Sequence, residues 1–154
     1  MINSDELRFA LGKYVTGVTI VTCNSDNGPI GITANSFSSL SLSPPLVLWA
    51  PAKASKRHDT FLEAGKFTVH IASENQIELC KSFSKSAYGE SELIWTYNDE
   101  GDAFIENCSA RFECIKYNHF DGGDHSIIVG EVKKFESTDQ KPVVDLGGAY
   151  QILY

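Results

Sequence analysis

The chain has 154 residues, 42 % of them hydrophobic, enough for one ordinary domain that buries roughly 70 % of its unfolded surface. Its net charge of −7 and 13 scattered lysines and arginines provide no basic stripe to displace counterions from a phosphate backbone, which argues against a nucleic-acid partner. No segment reaches the roughly 18–20 apolar residues of a membrane span, and Asp5, Glu6 and Arg8 interrupt the apolar run a secretory leader needs; a cytoplasmic location is expected.

In chain order, Ser4-Asp5-Glu6 ahead of Leu7, Phe9, Ala10 and Leu11 predicts an amphipathic helix capped by Ser4 or Asp5 and ending near Gly12. The β-branched run from Val15 to Thr22 predicts a strand, and Asp26-Asn27-Gly28-Pro29 a hairpin turn into a return strand over residues 30–37. Prolines 44, 45 and 51 bracket another strand at residues 46–50. A short helix over residues 58–65 follows, then an alternating strand over 66–72 with Phe67, Val69 and Ile71 on one face. Ser73 with Gln76 three residues on predicts a boxed helix start, with Ile77, Leu79 and Cys80 as its apolar face. Residues 84–101 read as an irregular surface excursion. Strands over 109–118 and 126–134 flank the turn Asp121-Gly122-Gly123-Asp124, and residues 149–154 form an apolar ending that packs either as a last strand or against a partner. Six or more strands with short helices and hairpin-length turns favour an antiparallel barrel over a doubly wound sheet. No Gly-x-Gly-x-x-Gly opens a helix, which excludes a Rossmann crevice.

The chemistry-bearing residues fall in three places. Residues 31–39 are small and polar where a half-buried strand is expected, so they form either a wall with donors and acceptors for a planar ring or a plain Ser/Thr-rich edge. Residues 52–58, with Ser55, Lys56 and Arg57, suit a phosphate at a helix start or are a solvated basic loop. His125 follows a flexible glycine pair, where it either projects from a barrel mouth toward a substrate or simply ends a turn. His58, His70 and His119 show no metal spacing, and no metal is expected. Cys23, Cys80, Cys108 and Cys114 form no Cys-x-x-Cys pair and read as reduced, buried thiols. The absence of a Gly-x-Ser-x-Gly elbow argues against a serine hydrolase.

Thr33-Ala34-Asn35-Ser36-Phe37, Ser41-Leu42-Ser43-Pro44-Pro45-Leu46, Gly123-Asp124-His125 and Gly130-Glu131-Val132, in that order and spacing, resemble the flavin reductase family, the small reductase components of two-component flavin-dependent monooxygenases. The resemblance runs nearly end to end, as one domain over residues 1–154. It implies a mainly β fold, a six-stranded antiparallel Greek-key split barrel with short flanking helices, assembled as a homodimer. It also implies hydride transfer from NADH or NADPH to FMN or FAD, with reduced flavin passing to a partner monooxygenase. Carried across by motif, Thr33, Ala34, Asn35 and Ser36 would line the isoalloxazine ring with Ser38 and Ser39 nearby. Trp49, Ala50 and Pro51 would flank the ribityl chain, Ser55 and Lys56 the phosphate, and Phe83 the flavin tail, while His125 would face the nicotinamide.

Two positions depart from the family pattern. Arg57-His58 stands where a small hydroxyl residue is common, which bears on the choice between FMN and FAD, and Asp145 stands where an aromatic is common. Trp95, Tyr97, Tyr150 and Tyr154 are candidate interface anchors. The alternative within the same fold is a protein that keeps FMN tightly bound, as an electron carrier or a binder without turnover.

Overall fold

The computed structural model describes residues 1–153. Helix α1 (Ser4–Leu11) is capped one residue earlier than expected, because the Asn3 side chain accepts from the N–H groups of Asp5 and Glu6 at 2.9 and 3.1 Å. It buries none of its residues. The β-branched run then divides into β1 (Thr16–Gly17) and β2 (Thr19–Ser25), and β2 turns through Asp26-Asn27 into β3 (Gly28–Ala34). Gly28, at φ 101°, closes that turn in a conformation costly for any residue with a Cβ.

Strand β4 (Ser38–Leu42) pairs with β5 (Pro45–Trp49). Helix α2 (His58–Glu63) and β6 (Lys66–Ile71) come next. At the following helix start the Gln76 side chain accepts from the Ser73 N–H at 3.1 Å, and one 3₁₀ turn leads into α3 (Ile77–Lys85). Beyond a mostly irregular excursion, β7 (Thr96–Tyr97) pairs with β8 (Ala103–Phe104). The long hairpin β9 (Ala110–Gly122) and β10 (His125–Ser137) follows, then β11 (Val143–Leu146) and β12 (Ala149–Ile152).

The principal sheet runs β3-β2-β6-β9-β10-β5-β4, and β1-β11-β12 forms a second, smaller sheet. The chain is therefore mainly β with short helices, as expected. The strand count differs: seven strands share the principal sheet, because the Ser-rich stretch at 38–42, whose pattern suggests no element, pairs with β5. No ladder joins its edge strands β3 and β4 among the described residues. The sheet nevertheless curls. Five strand spacings, roughly 24 Å if flat, separate β3 from β5, yet Ser36 Oγ beyond the end of β3 accepts from the Ala50 N–H beyond the end of β5 at 2.9 Å.

Curling creates two cores. Val21, Cys23, Phe67, Val69, Trp49, Phe61 and Ile128 fill the inside of the curl, with Trp49 edge-on to Phe61 at 5.1 Å. Val18, Ile20 and Ala72 face outward against Leu79, Cys80 and Phe83 of α3 and Val143 of β11. Strands β2 and β6 thus lie between two apolar layers, which is why Thr22, Thr68 and His70 are buried. His70 is held at both ring nitrogens: Nδ1 bonds the Ile20 carbonyl at 2.8 Å, and Nε2 accepts from the Ile105 N–H at 3.0 Å. Since Nε2 accepts, Nδ1 carries the proton, and burial pushes the pKa down to about 4. All four cysteines are free and buried, and burial pushes the thiols of Cys23, Cys80 and Cys114 up to about 12.

Candidate functional site

Where β3 and β5 end side by side, a cavity of about 320 Å³ opens between the two sheets. Eight of the expected site residues line it: Thr33, Ala34, Asn35, Ser36, Trp49, Ala50, Pro51 and His125. Val18 and Ile32 add apolar surface, and Ser84, Asp145 and Tyr150 add polar groups from α3 and the small sheet. The volume sits at the lower end of the roughly 300–1,000 Å³ of small-molecule sites. A second cavity of about 850 Å³, bounded by α1, β1 and the turn after β11, shares Asn35 and Asp145 with the first.

Not every hydroxyl on the wall faces the cavity as a free donor. Thr33 Oγ1 donates to the Cys80 carbonyl at 2.6 Å, which also receives Ser84 Oγ at 2.9 Å, so Thr33 ties β3 to α3. Ser36 exchanges bonds with the backbone of Ala50 and ties β3 to the end of β5. Asn35 lies at the rim and donates from Nδ2 to Asp145 Oδ2 at 3.1 Å. His125, at the start of β10, bonds Asp124 through Nδ1 at 2.7 Å with its side chain 45 % exposed. That bond holds the Asp124 carboxyl below the usual carboxylate range. Ala52 forms a bridge to His125, and Ser126 N–H donates to the Pro51 carbonyl at 3.0 Å, so the loop after β5 is pinned to the β10 end that carries the histidine.

The remaining expected residues lie off this wall. Ser38 and Ser39 are exposed on β4, and Ser38 Oγ donates to the Ser39 carbonyl. Ser55 and Lys56 sit in the turn before α2, where Ser55 Oγ accepts from the Arg57 N–H at 3.2 Å. Phe83 is fully buried, its ring against Trp95 at 6.2 Å. Its backbone is closer to the polar loop: Arg57 Nη1 donates to the carbonyls of Phe83, Gly31 and Ser86 at 2.6, 2.9 and 3.3 Å. Burial lowers the pKa of that guanidinium. Of the other histidines, His58 is buried with Nε2 2.8 Å from Ser126 Oγ, and His119 is exposed on the long hairpin.

Asp145 and Tyr150 are contributed by the β11–β12 hairpin: the apolar ending packs as a last strand, β12, and the hairpin joining it to β11 is what the sequence reading misses. Its signal is present: Gly147-Gly148 between Leu146 and Ala149, at φ 60° and 90°, is a two-residue primed turn. Tyr150 is half-buried, and burial raises the pKa of its phenol. Of the other aromatic anchors proposed from composition, Trp95 packs on Phe83, Tyr97 is exposed, and Tyr154 lies outside the described residues.

The wall fits a flavin ring. It joins apolar surface to small residues that let a plane approach the backbone, and it holds two buried polar atoms, Trp49 Nε1 and Asp145 Oδ1, with no protein partner. Among the described residues no three His, Cys, Asp or Glu side chains gather as around a metal ion, and no helix is long and apolar enough to cross a membrane.

Known proteins share this fold. A model of the flavin reductase like domain matches residues 11–154, and the chain belongs to the flavin reductase-like family of oxidoreductases. It is 48 % identical over 148 residues to "FMN reductase (NADH) SmoA" of Agrobacterium fabrum, covering 96 % of this chain and 85 % of that protein. It is 38 % identical to the reductase component of a flavin-dependent trigonelline monooxygenase of Acinetobacter baylyi, covering 94 % of this chain but 47 % of that protein, about half its length. Among solved structures, the flavin reductase PheA2 superposes with a TM-score of 0.92 at 30 % identity, covering 99 % of both chains. The NADH:FAD oxidoreductase SgcE6 of Streptomyces globisporus, in complex with NAD and FAD fragments, gives 0.91 at 31 % identity over 100 % of this chain and 96 % of that one.

Proposed function

We propose that this chain is an NADH-dependent flavin reductase that delivers reduced flavin to a partner monooxygenase. The observation that carries the reading is the cavity at the ends of β3 and β5, lined by three stretches expected from the family resemblance, Thr33 to Ser36, Trp49 to Pro51 and His125. The relatives named as reductases, and as components of monooxygenases, support it. The name of the 48 % identical relative favours FMN and NADH for this chain.

Bound there, the flavin supplies the electron-accepting ring that takes hydride from reduced nicotinamide. The protein's part is placement. Thr33 and Ser36, spent on Cys80 and Ala50, hold the wall rigid, so the plane it offers is set before ligand arrives. Trp49, Ala50 and Pro51 are assigned to the ribityl chain, and His125, partly exposed at the start of β10, is the position we assign to nicotinamide contact. Ser38 and Ser39 are assigned to the neighbourhood of the ring, Ser55 and Lys56 to the phosphate and Phe83 to the flavin tail, with Arg57 holding that loop in place. The curled sheet is read as a split barrel of Greek-key type forming one domain, and the exposed Leu7, Phe9 and Leu11 of α1 as part of a homodimer contact. A cytoplasmic location belongs to the same reading.

The test is anaerobic mixing of the protein with NADH or NADPH and increasing FMN or FAD, following the flavin absorbance band. Saturable, protein-dependent bleaching supports the reductase. Flavin binding without bleaching by either nicotinamide leaves only a flavin-binding protein, and a rate independent of added flavin points to a carrier that keeps its own.

A further inference from the structure

Asp145 stands out against the chemistry of buried charge. Only 9 % of the residue is exposed, its Oδ2 has a single bond from Asn35, and its Oδ1 has no partner. No lysine, arginine or histidine lies within ion-pair distance of it among the described residues. A carboxylate oxygen removed from water without a donor is costly, and β11 is not a place where chance would put one. Directly across the β1–β11 ladder stands Thr16, whose hydroxyl is likewise buried and unpartnered. Asp145 and Asn35 both line both cavities, and Thr16 lines the larger.

The pair Asn35 and Asp145 has a directional pattern. One Nδ2 hydrogen of Asn35 is spent on Asp145 Oδ2, so the pair keeps one further amide hydrogen as a donor and the unpartnered Asp145 Oδ1 as an acceptor. An acceptor next to a donor matches the edge of a group that carries N–H beside C=O. Both ring systems of the proposed reaction have such an edge: the imide of the flavin pyrimidine and the carboxamide of nicotinamide.

We infer that Asp145, oriented with Asn35, is a recognition residue that accepts a hydrogen bond from the amide-type N–H of a ring ligand in this cavity. The inference rests on the flavin reductase reading and goes beyond it by assigning a specificity contact to a residue outside the family pattern. The cost of burying that oxygen without a partner is then recovered when the ring binds.

The experiment uses wild type, Asp145→Asn and Asp145→Ala with two ligands, FMN and N3-methyl FMN, titrated by fluorescence without nicotinamide, and then NADH turnover at saturating FMN. If the imide is read, both variants weaken FMN by at least ~10-fold, the loss expected for a charge-assisted bond, while N3-methyl FMN binds all three proteins equally weakly. If the carboxamide is read, FMN affinity is unchanged and the KM for NADH rises by a similar factor with kcat little altered. In either case the urea midpoint of ligand-free Asp145→Ala equals or exceeds that of wild type, whereas a purely structural Asp145 lowers it. The inference is overturned if FMN affinity and the NADH KM of both variants stay within about twofold of wild type, or if binding falls only in step with a lowered midpoint. A wild type that neither binds FMN nor oxidises NADH overturns the reductase reading itself, and the inference with it.

Discussion

Replacing Arg57 by methionine keeps the aliphatic stem but removes the guanidinium that joins three segments: the Gly31 carbonyl on β3, the Phe83 carbonyl in α3 and the Ser86 carbonyl just beyond it. All three bonds leave one nitrogen, Nη1, which has two hydrogens, so two short bonds at 2.6 and 2.9 Å carry most of the interaction and the 3.3 Å contact is shared. Bonds from a charged donor contribute about 1.5–3 kcal/mol each. Arg57 is half-buried, so water can reach the vacated carbonyls in part, and the expected net loss is about 2–3 kcal/mol. For a chain of this size that lowers the melting temperature by roughly 5–10 °C. Lysine at this position, with one compact ammonium, recovers about half of the loss. The assay is urea and thermal unfolding of flavin-free protein at one fixed concentration. A midpoint for Arg57→Met within error of wild type refutes the clamp, and would place the guanidinium's stabilising role elsewhere.

Three other outcomes follow from the geometry. A Cβ at Gly130 would stand 2.4 Å from the Phe67 ring and 2.9 Å from Cys114 Cβ, so Gly130→Ala costs about 1–3 kcal/mol by overpacking; adding Phe67→Leu should return part of it in a double-mutant unfolding series. His70 has a folded pKa of about 4 against an ordinary value of 6.5. Between those values the unfolded chain binds a proton that the folded chain refuses. The stability due to neutral His70 is therefore full above pH 6.5 and is lost as pH falls toward 4, by up to a tenfold change in the unfolding constant per pH unit; comparing wild type with His70→Gln across that window isolates it, and parallel pH profiles refute it. The buried thiols should not react with a disulfide reagent at neutral pH in the native protein and should all react in denaturant; rapid native labelling of Cys23 or Cys114 contradicts their burial.

Much of the fold is legible in the sequence where local chemistry decides it. Asp26-Asn27-Gly28 announces the β2–β3 hairpin, and Ser73 with Gln76 announces the start of α3, because turns and caps are specified by the residues that make them. The burial of Thr68 and His70 has a non-local cause: a strand between two apolar layers has no wet side, and nothing within β6 reveals that Ile105 will cover it. At the site, Thr33 through Ser36 and His125 are legible as candidates, but their roles separate only in three dimensions. Thr33 and Ser36 brace the wall, whereas Asn35 remains at the rim. Asp145 is invisible as a cavity residue until the β1–β11 ladder carries it there from the far end of the chain.

That ladder also ties the site to both ends of the chain. The candidate cavity has one wall on the principal sheet and the other on β11 and β12, which follow every strand of that sheet in the chain. Asp145 and Tyr150 reach the cavity only when β11 pairs with β1 near the opposite end of the chain, so its second wall rests on a contact of long sequence separation, whose loop entropy must be offset before the contact contributes. The candidate cavity is therefore complete only where the two ends of the chain meet, and a change that loosens the β1–β11 pairing opens it without touching the principal sheet.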